Sequence, residues 1–113
     1  MAKSNDYVEV IPENMVEEGE MYPFEIDSEQ LMLAKVDGKI HALSGICTHE
    51  YAELWDGEIE EDTIWCPLHS SGFNVESGDA TNFPAVIPLP VYDVRIEDGT
   101  VFVSREPIKN KPD

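Results

Sequence analysis

Two short segments, Cys47-Thr48-His49 and Cys66-Pro67-Leu68-His69, hold both cysteines of this chain and two of its three histidines, with sixteen residues between them. One sulfur and one imidazole in each segment make a donor set for a metal centre, and such a centre forms only if the fold brings both segments to one end as loops. Two thiolates and two imidazoles can hold an iron–sulfur centre in which one iron takes both sulfurs and the other both ring nitrogens. The same donors also suit tetrahedral zinc, which needs no inorganic sulfide. Zinc modules usually pair like with like across a turn, whereas each segment here mixes sulfur with nitrogen. Ligand chemistry alone leaves both metals open. A Cys47–Cys66 disulfide is the weaker alternative, because the histidine two or three residues after each cysteine gives the thiols a better use.

The rest of the chain is built to carry those loops and little else. At 113 residues there is room for one domain with one modest core, and a second catalytic domain is excluded. Seven Lys and Arg against 24 Asp and Glu give a formal net charge of -17, so nucleic acid and anionic membrane surfaces are repelled. No apolar run approaches the roughly 20 residues that span a bilayer, and the first six residues lead into no signal-peptide core. The expectation is a soluble, cytoplasmic protein.

Hydrophobic patterning predicts short strands throughout. Tyr7 to Ile11 alternates and stops at Pro12; Met21 to Ile26 follows the Glu17-Glu18-Gly19-Glu20 turn, with Pro23 pointing to an edge position. Leu31 to Val36 and Lys39 to Leu43 form a hairpin across Asp37-Gly38, and Val91 to Ile96 and Thr100 to Val103 form another across Asp98-Gly99. Between them, 57–59, 63–65 and 73–75 predict a three-stranded subdomain with both Cys/His segments at one end. Thr81 to Pro90 reads as an ordered loop whose Phe83, Val86, Ile87 and Leu89 have surface to bury. Arg105 to Asp113 is expected to fray. The sum is an all-β antiparallel sandwich with a small inserted β-subdomain at about 45–84, a single domain over 1–105 and a flexible tail at 106–113.

The C-x-H and C-P-x-H motifs, Ser71-Gly72-Phe73 after the second, and Pro84 downstream resemble the Rieske ferredoxins over roughly residues 5 to 105. The sixteen-residue spacing and the Asp98 to Val103 ending look like the small ferredoxins that feed aromatic-ring dioxygenases. The resemblance implies one [2Fe-2S] cluster with Cys47 and Cys66 on the inner iron and His49 and His69 on the outer, valence-changing iron. Pro84 would lie in a loop against the cluster. In respiratory-chain relatives an extra cysteine in each loop forms a bridge; the matching positions here are Ala52 and Leu68, which leaves backbone hydrogen bonds, packing and the metal to hold the loops.

High-potential relatives place a tyrosine hydroxyl where this chain has Phe73, so the resemblance implies the low end of the Rieske range of about -150 to +300 mV. Two departures stand out. Ser71, in Ser70-Ser71, matches a serine of the high-potential relatives that bonds a sulfide, although a loop serine satisfied by backbone fits equally well. Glu50 replaces the glycine that commonly follows the first histidine.

Seven acids lie between the ligand pairs, and no Lys or Arg occurs from His41 through Val94. Beside an electron-transfer tip such a face would steer transient docking onto basic partners; by itself it would be a solvated surface. His41 reads as a strand side chain, and Trp55 and Trp65 as core filling. With one histidine left over, the chain cannot build the two-histidine, one-carboxylate iron site of an oxygenase. It is therefore expected to be no enzyme but a one-electron carrier from an NAD(P)H-linked reductase to a terminal oxygenase. The rivals are a Rieske-like small subunit of a larger reductase, such as nitrite reductase, and a zinc-stabilised binding module.

Overall fold

The computed structural model describes residues 6–48, 52–67, 71–83 and 85–111. Among these residues, ten antiparallel strands form two sheets. The larger contains β1 (Tyr7–Pro12), β2 (Met21–Ile26), β3 (Glu29–Val36), β4 (Lys39–Ser44), β9 (Val91–Glu97) and β10 (Thr100–Lys109), in the order β1-β10-β9-β4-β3-β2. The smaller is inserted between β4 and β9 and runs β5 (Glu58–Glu60), β6 (Thr63–Trp65), β7 (Gly72–Asn74), β8 (Ala80–Asn82) in that order. The helical content among the described residues is two single 3₁₀ turns, Glu13–Met15 and Leu54–Asp56.

The contiguous Leu31-Met32-Leu33-Ala34 run of β3 is apolar on both faces because both faces are covered. Leu31 and Leu33 join Ile40, Ala42, Tyr92, Val101 and Val103 in the core of the larger sheet. Met32, Ala34 and Val36 point the other way, packing with Leu43 against Ile64 and Phe73 of the smaller sheet, Val75 just after β7, and both cysteines. The second core is what fastens the cysteine loops to the rigid sheet.

The Asp-Gly hairpins form as their sequence requires, with φ of 54° and 77° at Asp37-Gly38 and 51° and 76° at Asp98-Gly99. The Glu18 carboxylate accepts the amides of Asp37 and Gly38 at 2.6 and 2.9 Å, which fixes the first turn. Pro23 sits in β2, the outermost strand, where its missing amide costs no ladder bond.

Three expectations need correction. The inserted sheet has four strands rather than three, because Ala80–Asn82 pairs with β7. The chain does not leave the sheet after Val103: β10 continues through irregular pairing to Lys109, and Asn110 bonds back to the body. Of the four apolar side chains expected to bury in the 81–90 loop, only Leu89 does so, while Phe83, Val86 and Ile87 are 80%, 65% and 59% exposed.

Candidate metal centre

Each cysteine begins a loop closed in the same way. After β4 the chain makes a narrow antiparallel closure in which the Leu54 amide donates to Gly45 O at 2.7 Å, Ile46 bridges Glu53, and the Cys47 amide donates to Ala52 O at 2.8 Å. In the second loop Trp65 pairs with Gly72 on the β6–β7 ladder, and the Cys66 amide donates to Ser71 O at 2.9 Å. Both cysteines thus bond to the carbonyl five residues on, leaving four-residue tips at 48–51 and 67–70. His49 and His69 fall in these tips and lie outside the described residues, as do Glu50, Leu68, Ser70 and Pro84.

Small residues make the closures possible. The Trp55 ring lies directly over Gly45, and a Cβ at Gly57 would strike the Trp65 carbonyl. Trp65 itself packs across Gly72, and its buried Nε1 has no hydrogen-bond acceptor among the described residues. Both tryptophans fill space at the loop bases.

Cys47 and Cys66 are 0% and 5% exposed and share one apolar cluster with Ala52, Leu54, Phe73 and Ala85. They form no disulfide. Two buried thiols at matching points of two like loops fit the sulfur half of an iron–sulfur donor set, since thiolates in an apolar setting need a metal to offset the loss of solvation. Phe73 lies beneath them, fully buried, and brings no hydroxyl.

A third segment crosses between the two loops. The Ala85 amide donates to Ser71 Oγ at 3.0 Å, and Thr48 Oγ1 donates to Ile87 O at 2.7 Å. Ser71, fully buried, therefore joins three strands of chain: its carbonyl closes the second cysteine loop and its hydroxyl holds the crossing segment. Sequence reasoning singled out Ser71 but not Thr48, whose only signal was its place next to Cys47.

His41 is not part of this site. It sits half-buried on β4 in a cleft of about 370 Å³ shared with Lys39, Glu76, Tyr92 and Lys109. Burial, with help from Lys39, lowers its pKa, while Glu76 opposes the shift.

An antiparallel β-domain whose two like cysteine loops share one buried cluster has the sulfur half of an iron–sulfur site, and the comparisons give the class: a small iron–sulfur electron-transfer protein. The family described as "Rieske [2Fe-2S] domain" matches residues 6–93. The ferredoxin component of the alkene monooxygenase system of Xanthobacter autotrophicus is 34% identical over 104 residues, covering 91% of this chain and 84% of the relative. The ferredoxin component of the naphthalene 1,2-dioxygenase system of Pseudomonas putida is 32% identical, covering 86% and 93%. Among solved structures, a chain from the complex of reduced oxygenase and oxidized ferredoxin in carbazole 1,9a-dioxygenase superposes with a TM-score of 0.86 at 26% identity, over 97% of this chain and 100% of that one. The chain belongs to the Rieske [2Fe-2S] domain family. It is a ferredoxin that carries one [2Fe-2S] cluster and transfers electrons without catalysing bond chemistry.

Proposed function

We propose that this ferredoxin takes one electron at a time from an NAD(P)H-linked, flavin-containing reductase and delivers it to the terminal oxygenase of an oxygenase system of the aromatic-ring dioxygenase type. The observation that carries this reading is the near end-to-end likeness to ferredoxin components of oxygenase systems. Bound cluster supplies a centre that accepts and releases a single electron. The residues we assign to hold it are Cys47 and Cys66 on one iron and His49 and His69 on the other. Ser71 and Pro84 are assigned to its border, within one domain that includes the whole of β10 and Asn110 and whose inserted part is 45–84. No helix among the described residues is long and apolar enough to cross a membrane, and we place the protein in the cytoplasm.

What the chain itself contributes is position and charge. The doubly covered β3–β4 hairpin fixes the loop bases. Around the first loop and β5, Glu53, Asp56, Glu58, Glu60, Glu61 and Asp62 are all exposed. That one-sign surface favours fast, short-lived docking onto basic partners, which suits a shuttle serving two of them.

The ligand set is tested by His69→Cys. Replacing a nitrogen donor by a thiolate is expected to move the reduced-state EPR signal from the Rieske type toward the all-cysteine type and to lower the midpoint potential. An unaltered spectrum would remove His69 from the set. Whether oxygenase turnover by NADH, reductase and oxygenase requires the ferredoxin tests the role in the chain.

A further inference from the structure

The six-stranded sheet is open in its middle. β4 and β9 are 6 and 7 residues long, yet they pair only at Ala42↔Tyr92 and Leu43↔Val91. Beyond those two pairs the ladder stops, and the cleft of about 370 Å³ that holds His41 occupies the gap. It extends to Gly38, at the end of β4 opposite the one that leads to Cys47. Buried Ile40 and Val91 line it together with Ile96 and Ile108, which are 41% and 57% exposed. The late extension of β10 is what brings Ile108 there.

The cations of this cleft are uncommitted in a chain rich in acids. Elsewhere, Arg105 pairs with Asp27, Arg95 lies over the Tyr7 ring, and Lys35 donates to Val16 O. Lys39 and Lys109 reach the cleft from β4 and β10, and neither has an ion-pair partner among the described residues. Three carboxylates line the same cleft without answering them. Asp93 accepts the Tyr7 hydroxyl at 2.6 Å and lies 3.7 Å from Arg95. Glu13, whose amide donates to Gly99 O, stands at the far end, and Glu76 acts on His41. Unpaired cations beside exposed apolar side chains suit an anion that brings an apolar body. A bare anion would leave Ile96 and Ile108 uncovered, and an uncharged body would leave the lysines unanswered.

We propose that the cleft between β4 and β9 is a binding site for an organic monocarboxylate with an apolar body, the carboxylate held by Lys39 and His41, which share a face of β4, and the body laid against Ile96 and Ile108. Lys109 adds positive potential from β10. The cleft lies apart from the metal centre, and the proposal does not rest on the electron-carrier role. Its volume is within the range of small-molecule pockets, about 300–1,000 Å³. The net charge of -17 opposes any anion at long range, so the site acts by contact, and apolar burial supplies the affinity that charge does not. Binding is linked to protons. In the free protein burial, and then Lys39, hold the His41 pKa below its ordinary value while Glu76 opposes them; Asp93, Lys109 and Glu13 are the other charged groups along the cleft. A carboxylate beside the ring favours the imidazolium, so the complex takes up a proton and tightens as pH falls.

Isothermal titration calorimetry of the oxidised, cluster-loaded protein with octanoate, acetate and octylammonium separates charge from body. Octanoate is expected to bind in a single saturable event that weakens as the pH is raised from about 6 to about 8. Acetate and octylammonium are expected to give no saturable heat. Lys39→Gln should weaken octanoate about tenfold. Lys109→Gln should act in the same direction, and His41→Asn should abolish the pH dependence. Both lysines are exposed, so their variants are expected to keep the EPR spectrum and thermal midpoint of the wild type. Octanoate bound equally well by the wild type and all three variants would overturn the site by placing the binding elsewhere on the surface. Octylammonium bound in place of octanoate would overturn the carboxylate assignment and show that Glu13, Glu76 and Asp93 set the sign of the cleft. Absence of saturable octanoate binding at either pH would overturn the proposal outright.

Discussion

Ser71 carries more structure than any other polar residue of the site. Its carbonyl closes the Cys66 loop and its hydroxyl accepts the amide of Ala85, both without solvent contact. Truncation to alanine strands that amide in an apolar setting, and a buried donor left unmade costs about 1–3 kcal/mol. Ser71→Ala is therefore expected to lower the thermal midpoint followed by loss of cluster absorbance, with the crossing segment loosened first. An unchanged midpoint would mean that the Ala85 amide finds another acceptor. The backbone role of Ser71 was open in the sequence as one of two alternatives, and the geometry supplies the bond that makes it. The cysteines were legible for a different reason: the chain has two, each with a histidine close behind, and that chemistry has few uses. Phe83 was misread because apolar character predicts burial by default, whereas the two hydrogen bonds that turn this segment outward involve residues 39 and 14 positions away in sequence.

At the scale of elements, strands whose turns carry a strong local signal were legible and the others were not. Asp37-Gly38 and Asp98-Gly99 announce their hairpins. The β2–β3 hairpin turns equally tightly through Asp27 and Ser28, with φ of 49° and 73°, but has no glycine to betray it. β8 was hidden because Ala80-Thr81-Asn82 has no alternating apolar face. The late part of β10 was hidden by Pro107. That proline is tolerated because β1 covers β10 only as far as Ser104, so Pro107 lies on a locally uncovered edge. This extension delivers Asn110, at φ 58°, whose Nδ2 donates to Ser77 O at 2.8 Å and Leu89 O at 2.9 Å. It clamps the turn after β7 to the end of the crossing segment, where Gly78 already leaves no room for a Cβ beside the Leu89 carbonyl. Asn110→Ala is expected to cost about 1–2 kcal/mol in denaturant unfolding, from two lost bonds and a left-handed backbone that alanine disfavours. Asn110→Gly relieves the backbone but not the bonds, so full stability in that variant would show that the clamp contributes nothing.

Across the whole molecule acids are spread over both sheets, but the described basic residues are confined to one. Every described Lys and Arg (Lys35, Lys39, Arg95, Arg105, Lys109 and Lys111) lies on the larger sheet or just beyond its last strand, while the inserted region from 45 to 84 has acids and no basic residue. Three of those cations are engaged locally: Arg105 pairs with Asp27 at 3.0 Å, Arg95 lies over the Tyr7 ring at 4.4 Å, and Lys35 Nζ donates to Val16 O at 3.4 Å. The acidic surface beside the cysteine loops is therefore not neutralised in place, and a basic partner meets no cation of this chain at that end of the molecule. Isolated exposed pairs contribute little to stability, so charge reversal at Glu53, Glu58 and Glu61 is expected to leave the unfolding midpoint nearly unchanged while slowing association with the oxygenase about tenfold at low salt. Raising ionic strength shortens the screening length and should slow the wild type until the two rate curves converge. Parallel curves, with the same salt slope for wild type and variant, would show that these acids solvate the surface and do not steer. Convergence, together with a dissociation rate unchanged by the reversals, would place the acids in the encounter alone.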